Sequence, residues 1–209
     1  MRLRITFTKQ GALRYIGHLD LHKMLERSIR RAKLPLAYSQ GYHPQPKLNL
    51  AAALPLGFSS SAEVMDIWLN EDVDDAATAL QANVPPGLTI LQAEQVDERE
   101  PSLQSQVIAA EYEVEITEAP QSGEAGSGSG LTEKIASVLE TESIPRVRRK
   151  KQYDLRPLIE ELTAPDNIHI HMRLTAREGA TGRPEEVLDM MGIPLEDTRI
   201  ERTKLLFKE

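Results

Sequence analysis

The residues able to do chemistry fall early in the chain, and the first are His18 and Asp20 in Gly17-His18-Leu19-Asp20. An imidazole that titrates near neutrality beside a carboxylate makes both candidate catalytic groups for proton transfer. Residues two apart on a helix do not face each other, which argues against a direct relay and leaves His18 the better single candidate. With Gly17 as N-cap, Asp20 also stands at the third helical position, where a carboxylate favours the positive helix end. Lys23, Arg27, Arg30 and Arg31 follow, the first three at i, i+4 and i+7. Such a row of cations is a candidate nucleic-acid contact, because guanidinium groups pair with phosphate oxygens; Lys33 and Lys47 extend the track. A solvated helix face, partly balanced by Glu26 four residues before Arg30, is the plainer account of the same residues.

Ser39, Gln40, Gly41, Tyr42 and His43, continuing into Pro44-Gln45-Pro46-Lys47, combine hydrogen-bonding side chains with prolines, a glycine and an aromatic ring. On a rigid scaffold this run makes a pocket loop, with Tyr42 available to stack on a base; a simple surface connection is the alternative. Further on, Arg146, Arg148, Arg149, Lys150 and Lys151 read as a basic strand, with 146, 148 and 150 facing one way. Arg148 and Lys150 are candidate anion contacts there, against the alternative of an edge strand that its cations protect from aggregation. His169 and His171 share a strand face at metal-ligand reach. Glu113 and Glu115 are expected on the neighbouring strand, so acid–histidine pairing is the simpler expectation and no metal site is assigned. There is no GxxxxGK[ST], no GxGxxG before a helix, no GxSxG and no run typical of an RNA-recognition strand. Cysteine is absent, which excludes disulfides, thiol catalysis and a cysteine-held zinc or iron–sulfur cluster in this chain.

The elements that must position these groups follow from periodicity. Leu3, Ile5 and Phe7 alternate with Arg2, Arg4, Thr6 and Thr8, a half-buried strand, and Gly11 makes the turn after it. Leu21, Met24, Leu25, Ser28, Ile29 and Ala32 line one face of a helix from about His18 to Lys33, ended by Pro35. Residues 47–54 read as a second strand, 63–70 as a third, 73–82 as a short helix and 88–93 as a fourth strand. That β-α-β-β-α-β order is the split βαβ unit, with the first and third strands side by side at the centre. Its open sheet face would carry Arg2, Arg4 and Thr6 beside Asp66 and Trp68, with Trp68 expected to pack against the second domain and base stacking as the alternative. Residues 111–116 alternate, 131–139 form a helix, 156–162 a short helix after Asp154, 168–174 a strand, a helix opens at Pro184, and 199–207 is the last strand. The fold class expected is therefore α+β, two tandem ferredoxin-like domains with antiparallel sheets and helices on one face. Residues 1–97 form the first, 98–109 a linker, and 110–209 the second, which includes a Gly/Ser-rich loop at 121–130.

The totals agree with such a protein. At 209 residues, 40% hydrophobic and 27% charged, the chain can build a core, and with only 4% aromatic residues the core must be mostly aliphatic. No apolar run approaches the length of a membrane span and the N-terminus lacks a signal-peptide core, so a cytoplasmic location without membrane association is expected. The net charge of -7 is uneven. Residues 1–50 hold ten Lys and Arg against Asp20 and Glu26, a balance of +8, which leaves -15 for the remainder. A basic region in an acidic chain hints at an anionic partner, although the two regions could equally attract each other.

The stretch FTKQGALRYIGHLDLHKMLERSIRRAKLPLAYSQGYHPQPKLNLAAALPLGFSSSAEVMDIWL resembles the radical-SAM-associated proteins, a domain of unknown function (DUF2344). Tyr153-Asp154-Leu155-Arg156-Pro157 and Arg183-Pro184-Glu185-Glu186-Val187-Leu188 extend the resemblance toward the C-terminus. The chain departs from the pattern at Gly17, where Ser precedes His-Leu-Asp, and at His43-Pro44-Gln45-Pro46, where the pattern is Asn-Pro-His-Pro. The resemblance implies a partner: members are encoded beside, or fused to, a radical-SAM enzyme with a cobalamin-type domain. The iron–sulfur cluster and S-adenosylmethionine are then expected on that partner, with no cofactor in this chain. The function expected is an accessory protein that binds structured RNA, tRNA or rRNA, for modification or maturation. A stand-alone RNA-modifying or RNA-cleaving enzyme using His18 or Asp20 is one alternative. An adaptor that docks the radical-SAM enzyme without RNA is the other.

Overall fold

The computed structural model describes residues 1–117, 129–148 and 150–208. They form a mixed α/β structure with extensive, mostly antiparallel sheet and few helices. It divides into two compact units, Met1–Val107 with Phe207 and Lys208, and Ile108–Leu206. Among the described residues no helix is long and apolar enough to cross a membrane.

In the first unit β1 (Arg2–Lys9) leads through a 3-10 turn, which Gly11 opens at φ +59°, into α1 (His18–Arg31). β2 (Leu48–Leu50), β3 (Ser59–Trp68), α2 (Ala76–Gln81) and β4 (Leu88–Val96) follow. The strands lie in the order β4-β1-β3-β2, each pair antiparallel, so the first and third strands are neighbours. Leu3 and Ile5 stand opposite Ile67 and Met65, and with Phe7 they bury one sheet face together with Leu21, Leu25 and Ile29 of α1. The helix stops at Arg31, earlier than Pro35 requires. Lys33 takes the left-handed conformation at φ 57°, its N–H donates to the Arg30 carbonyl, and the Leu34 N–H donates to that of Ile29. That is the Schellman arrangement, which satisfies carbonyls left open at a helix end. The second strand is shorter than the 47–54 expected, and the third begins earlier, at Ser59.

The opposite sheet face is closed where an open one was expected. Arg4 pairs across from Asp66, and Asp66 is wholly buried with Arg2 at 1% exposure. Arg2 donates from Nε and Nη2 to Asp66 at 2.9 and 2.5 Å, and Arg4 Nε donates to the second carboxylate oxygen at 3.0 Å. A buried guanidinium still has donors to satisfy, and the chain after β4 supplies the acceptors. Arg2 donates to the carbonyls of Glu100 at 2.8 Å and Pro101 at 3.0 Å, and its guanidinium lies 5.1 Å from the Trp68 ring centre. Residues 98–107 are thus part of the first unit and no free linker. They include a short helix, α3 (Leu103–Gln106), whose Leu103 is fully buried and whose Gln104 donates to the Leu50 carbonyl at 2.8 Å.

The second unit contains β5 (Val107–Ile116), α4 (Ser129–Glu140), β6 (Pro145–Arg148) and β7 (Lys151–Asp154). β8 (Ile159–Thr163), β9 (His169–Arg177), β10 (Ala180–Thr181), α5 (Pro184–Met190) and β11 (Thr198–Phe207) complete it. β11 lies beside β5, β5 beside β9, and both β8 and β10 pair with β9. Residues 146–151 are not one strand. β6 and β7 form a separate hairpin, and Lys150 in its turn is left-handed at φ 67°. The helix expected over 156–162 is a 3-10 turn, Arg156–Leu158, that runs straight into β8. Asp154 organises this corner by accepting the N–H groups of Ile144 at 2.7 Å and Arg156 at 3.0 Å, bonds that hold its carboxyl below the usual range. Within the expected Gly/Ser loop, 121–128 lie outside the described residues, as does Arg149.

Candidate nucleic-acid interface

Helix α1 is seated by its apolar stripe, with Leu21, Leu25, Ser28 and Ile29 buried. Its 3.6-residue period turns Lys23 and Arg27 to solvent on the far side. Neither side chain has an ion pair or hydrogen bond among the described residues, and the same holds for Lys33 just past the helix end. Arg30 and Arg31 are exposed but occupied. Arg30 pairs with Glu26 at 2.8 Å, as the four-residue spacing predicts, and donates through Nε to the Tyr38 hydroxyl at 2.9 Å. Arg31 donates to the Ser28 hydroxyl at 3.1 Å and to the Asn83 carbonyl, beyond the end of α2, at 2.9 Å. These two arginines tie the helix to its neighbours; Lys23, Arg27 and Lys33 are left available to an anion.

The loop after α1 is pinched at its base. The Ser39 N–H donates to the Gln45 carbonyl at 2.8 Å and the Gln45 N–H returns to the Ser39 hydroxyl at 2.9 Å. Tyr38 bridges to Pro46, and the Lys47 N–H donates to the Ala37 carbonyl at 2.8 Å. Gln40, Gly41, Tyr42 and His43 therefore form a projecting tip, with Gly41 at φ +136°, a conformation an L side chain rarely adopts. Tyr42 is 98% exposed and meets His43 edge to face, ring centres 5.7 Å apart. Two ties hold this loop to the helix: Arg30 to Tyr38 at one end, and His22, whose Nε2–H donates to the Leu48 carbonyl at 3.2 Å, at the other. Neither His22 nor Tyr38 stood out in the sequence, although Tyr38 directly precedes the loop that did. Lys47 is exposed at the root of β2.

His18 and Asp20 lie exposed in the first turn of α1. At about 1.5 Å of rise per residue, Asp20 is roughly 15 Å along the helix from Arg30, while His22, two residues from Asp20, meets the far end of the loop at Leu48. The fold thus brings Lys23, Arg27, Arg30 and the 39–47 loop to one helix and its flank, with His18 and Asp20 in the first turn of that same helix.

In the second unit the basic run is turned inward. Arg148 donates to Glu186 at 2.6 Å, to the Tyr153 hydroxyl at 2.8 Å and to the Thr181 carbonyl at 2.9 Å. Arg146 pairs with Asp189 at 2.7 Å. Lys150 and Lys151 remain exposed. His171 lies 3.8 Å from Glu113, its register partner, and His169 pairs with Asp166 at 2.8 Å. The pairing expected for His171 is the one found, and among the described residues no group of three or more His, Asp or Glu side chains is arranged to hold a metal ion. A polar pocket of about 220 Å³ opens beside Glu111, Glu161, His171 and Arg173. Its arginine is spent on Glu111 at 2.7 Å and Glu161 at 3.6 Å, so the pocket offers no free cation to an anionic ligand.

A family model described as "Uncharacterized protein conserved in bacteria (DUF2344)" matches residues 2–184, which hold the helix, the loop and both units' sheets up to α5. The chain belongs to that family. Comparison of this DUF2344 chain with curated proteins finds no match. Among solved structures, the crystal structure of an unknown protein from Galdieria sulphuraria aligns at 13% identity over 96% of this chain and 97% of that one, with a TM-score of 0.28.

Proposed function

We propose that this DUF2344 chain is a non-catalytic RNA-binding protein of the cytoplasm that presents structured RNA to a radical-SAM enzyme. The carrying observation is the outer face of α1, where Lys23 and Arg27 stand exposed and unpartnered beside a rigid loop ending in a solvent-exposed tyrosine. Unpaired cations in a row suit a phosphate backbone, and an aromatic ring alongside suits a base. The radical-SAM partner rests on the sequence resemblance, and the iron–sulfur cluster and S-adenosylmethionine would belong to it. Both units read as ferredoxin-like domains in tandem: β4-β1-β3-β2 and β11-β5-β9-β8 are the same order of strands, with the β6–β7 hairpin as an insertion.

RNA recovered with the protein purified from cells, compared between wild type and Lys23→Ala/Arg27→Ala, tests the reading. Arg30 and Arg31 are left intact because both hold the scaffold. Co-purifying RNA is expected in the wild type and is lost or strongly reduced in the double variant. The slope of log affinity against log salt should fall by roughly 0.7 for each phosphate contact removed from a single strand. Absence of RNA from both proteins, with retention of the radical-SAM enzyme in a pull-down, would replace this reading with the adaptor.

A further inference from the structure

We infer that the 40–44 tip is a base-stacking platform, and that the RNA this surface takes presents an unpaired nucleobase, in a loop, bulge or single strand, rather than a regular duplex. The inference rests on the RNA-binding reading above and narrows its substrate class. Tyr42 contributes nothing to either core: at 98% exposure its ring lies in water, and its one aromatic neighbour, His43, meets it edge to face. Edge-to-face contact buries little of either ring and leaves a Tyr42 face open. The loop that carries the ring is nevertheless held at its neck. The reciprocal Ser39–Gln45 hydrogen bonds close the neck, Pro44 and Pro46 stiffen the return, and Arg30 fixes Tyr38 at the base. A loop already closed at its neck has less backbone freedom to lose when a base settles on the ring it carries.

Duplex RNA cannot use such a ring, since its bases are stacked on each other and its wide minor groove shows only edges and hydroxyls. An unpaired base can be splayed onto the ring while flanking phosphates meet unpartnered cations, and Lys23, Arg27 and Lys33 supply charge of the right sign on the helix that the tip is tied to. Gln40 and His43 flank the ring with groups able to hydrogen-bond a base edge. Their side chains, unlike a bare basic patch, give the tip a means of preferring one base.

The test uses an RNA hairpin carrying 2-aminopurine either in its loop or in its stem, titrated with the intact protein and read by fluorescence. Wild type should bind the open-loop hairpin more tightly than a blunt duplex of equal length and change the fluorescence of the loop-placed base only. Tyr42→Ala should weaken hairpin binding by about tenfold to a hundredfold, the range expected for one lost base stack, and abolish the fluorescence change. Tyr42→Phe should keep both. The position is exposed, so unchanged thermal unfolding of the variants excludes misfolding as the cause. Equal binding of hairpin and duplex, or a Tyr42→Ala protein that binds like wild type while Lys23→Ala/Arg27→Ala does not, would overturn the stacking tip and leave the phosphate surface standing. No binding of any RNA by the wild type would overturn both.

Discussion

At the scale of single residues, Asp66 joins two arginines across the first unit's sheet. Its carboxylate is the shared acceptor of two guanidinium groups within a closed sheet face. Asp66→Asn would leave the buried Arg2 without its counter-charge, while the half-buried Arg4 keeps Glu100, and breaking one side of a buried pair costs about 3–5 kcal/mol; a fall of that size in the urea-unfolding free energy is expected. A pH effect is expected at His169. Its hydrogen bond with Asp166, aided by the nearby Glu113 and Glu115, raises the imidazole above its ordinary 6.5, and the same bond lowers the Asp166 carboxyl below 3.8. The stabilisation from His169 is therefore complete below about 6.5 and fades as pH rises through the raised value. That from Asp166 is complete above about 3.8 and fades as pH falls through the lowered one. In Asp166→Asn the His169 titration followed by NMR should return toward 6.5. Arg2, Arg4, Asp66 and Trp68 could all be assigned to one face from alternation alone. That the face is closed could not, because the closing carbonyls come from residues 97–101, whose polar side chains read as solvent-exposed.

At the scale of elements, α1 is both a core wall and the proposed binding surface. Leu25 is fully buried beneath it, and Leu25→Ala should cost about 2–5 kcal/mol. If the surface depends on a seated helix, RNA affinity falls with it, measurable by filter binding below the new melting temperature. The helix end offers the opposite effect. Lys33 occupies a left-handed position that costs an L residue about 1–2 kcal/mol. Lys33→Gly is expected to raise stability by somewhat less, since glycine is more disordered in the unfolded chain; calorimetry would show a higher melting temperature. The helix itself was legible from its 3.6-residue stripe, and so was the Glu26–Arg30 pair. The 146–151 run turns back on itself where one strand is expected, because a pattern of cations carries no turn signal and Lys150 takes the left-handed conformation there without a glycine to mark it. The stretch after Asp154 is strand where a helix is expected: Ile159 and Leu162, three apart, are both buried across a bulge in β8.

For the whole molecule, net charge and local charge point in different directions. The chain carries -7, and the excess of +8 over residues 1–50 is partly internal, since Arg2 and Arg4 are spent on Asp66. What remains exposed on α1 is small but uncompensated, so the protein should bind a heparin column at low salt despite its acidic total. Lys23→Ala/Arg27→Ala should elute markedly earlier. Composition could suggest this division of charge but could not say which cations are free, because that depends on partners far away in sequence, such as Asn83 for Arg31.

The pinched neck of the 39–47 loop has an evolutionary consequence. Everything between Ser39 and Gln45 hangs outside the hydrogen-bonded frame, and lengthening a loop whose ends are already fixed adds free energy only logarithmically. The tip is therefore an interchangeable cartridge: its letters and its length can drift, or be swapped by an engineer, while helix and sheet stay as they are. A change in the proposed binding tip need not alter how the chain folds.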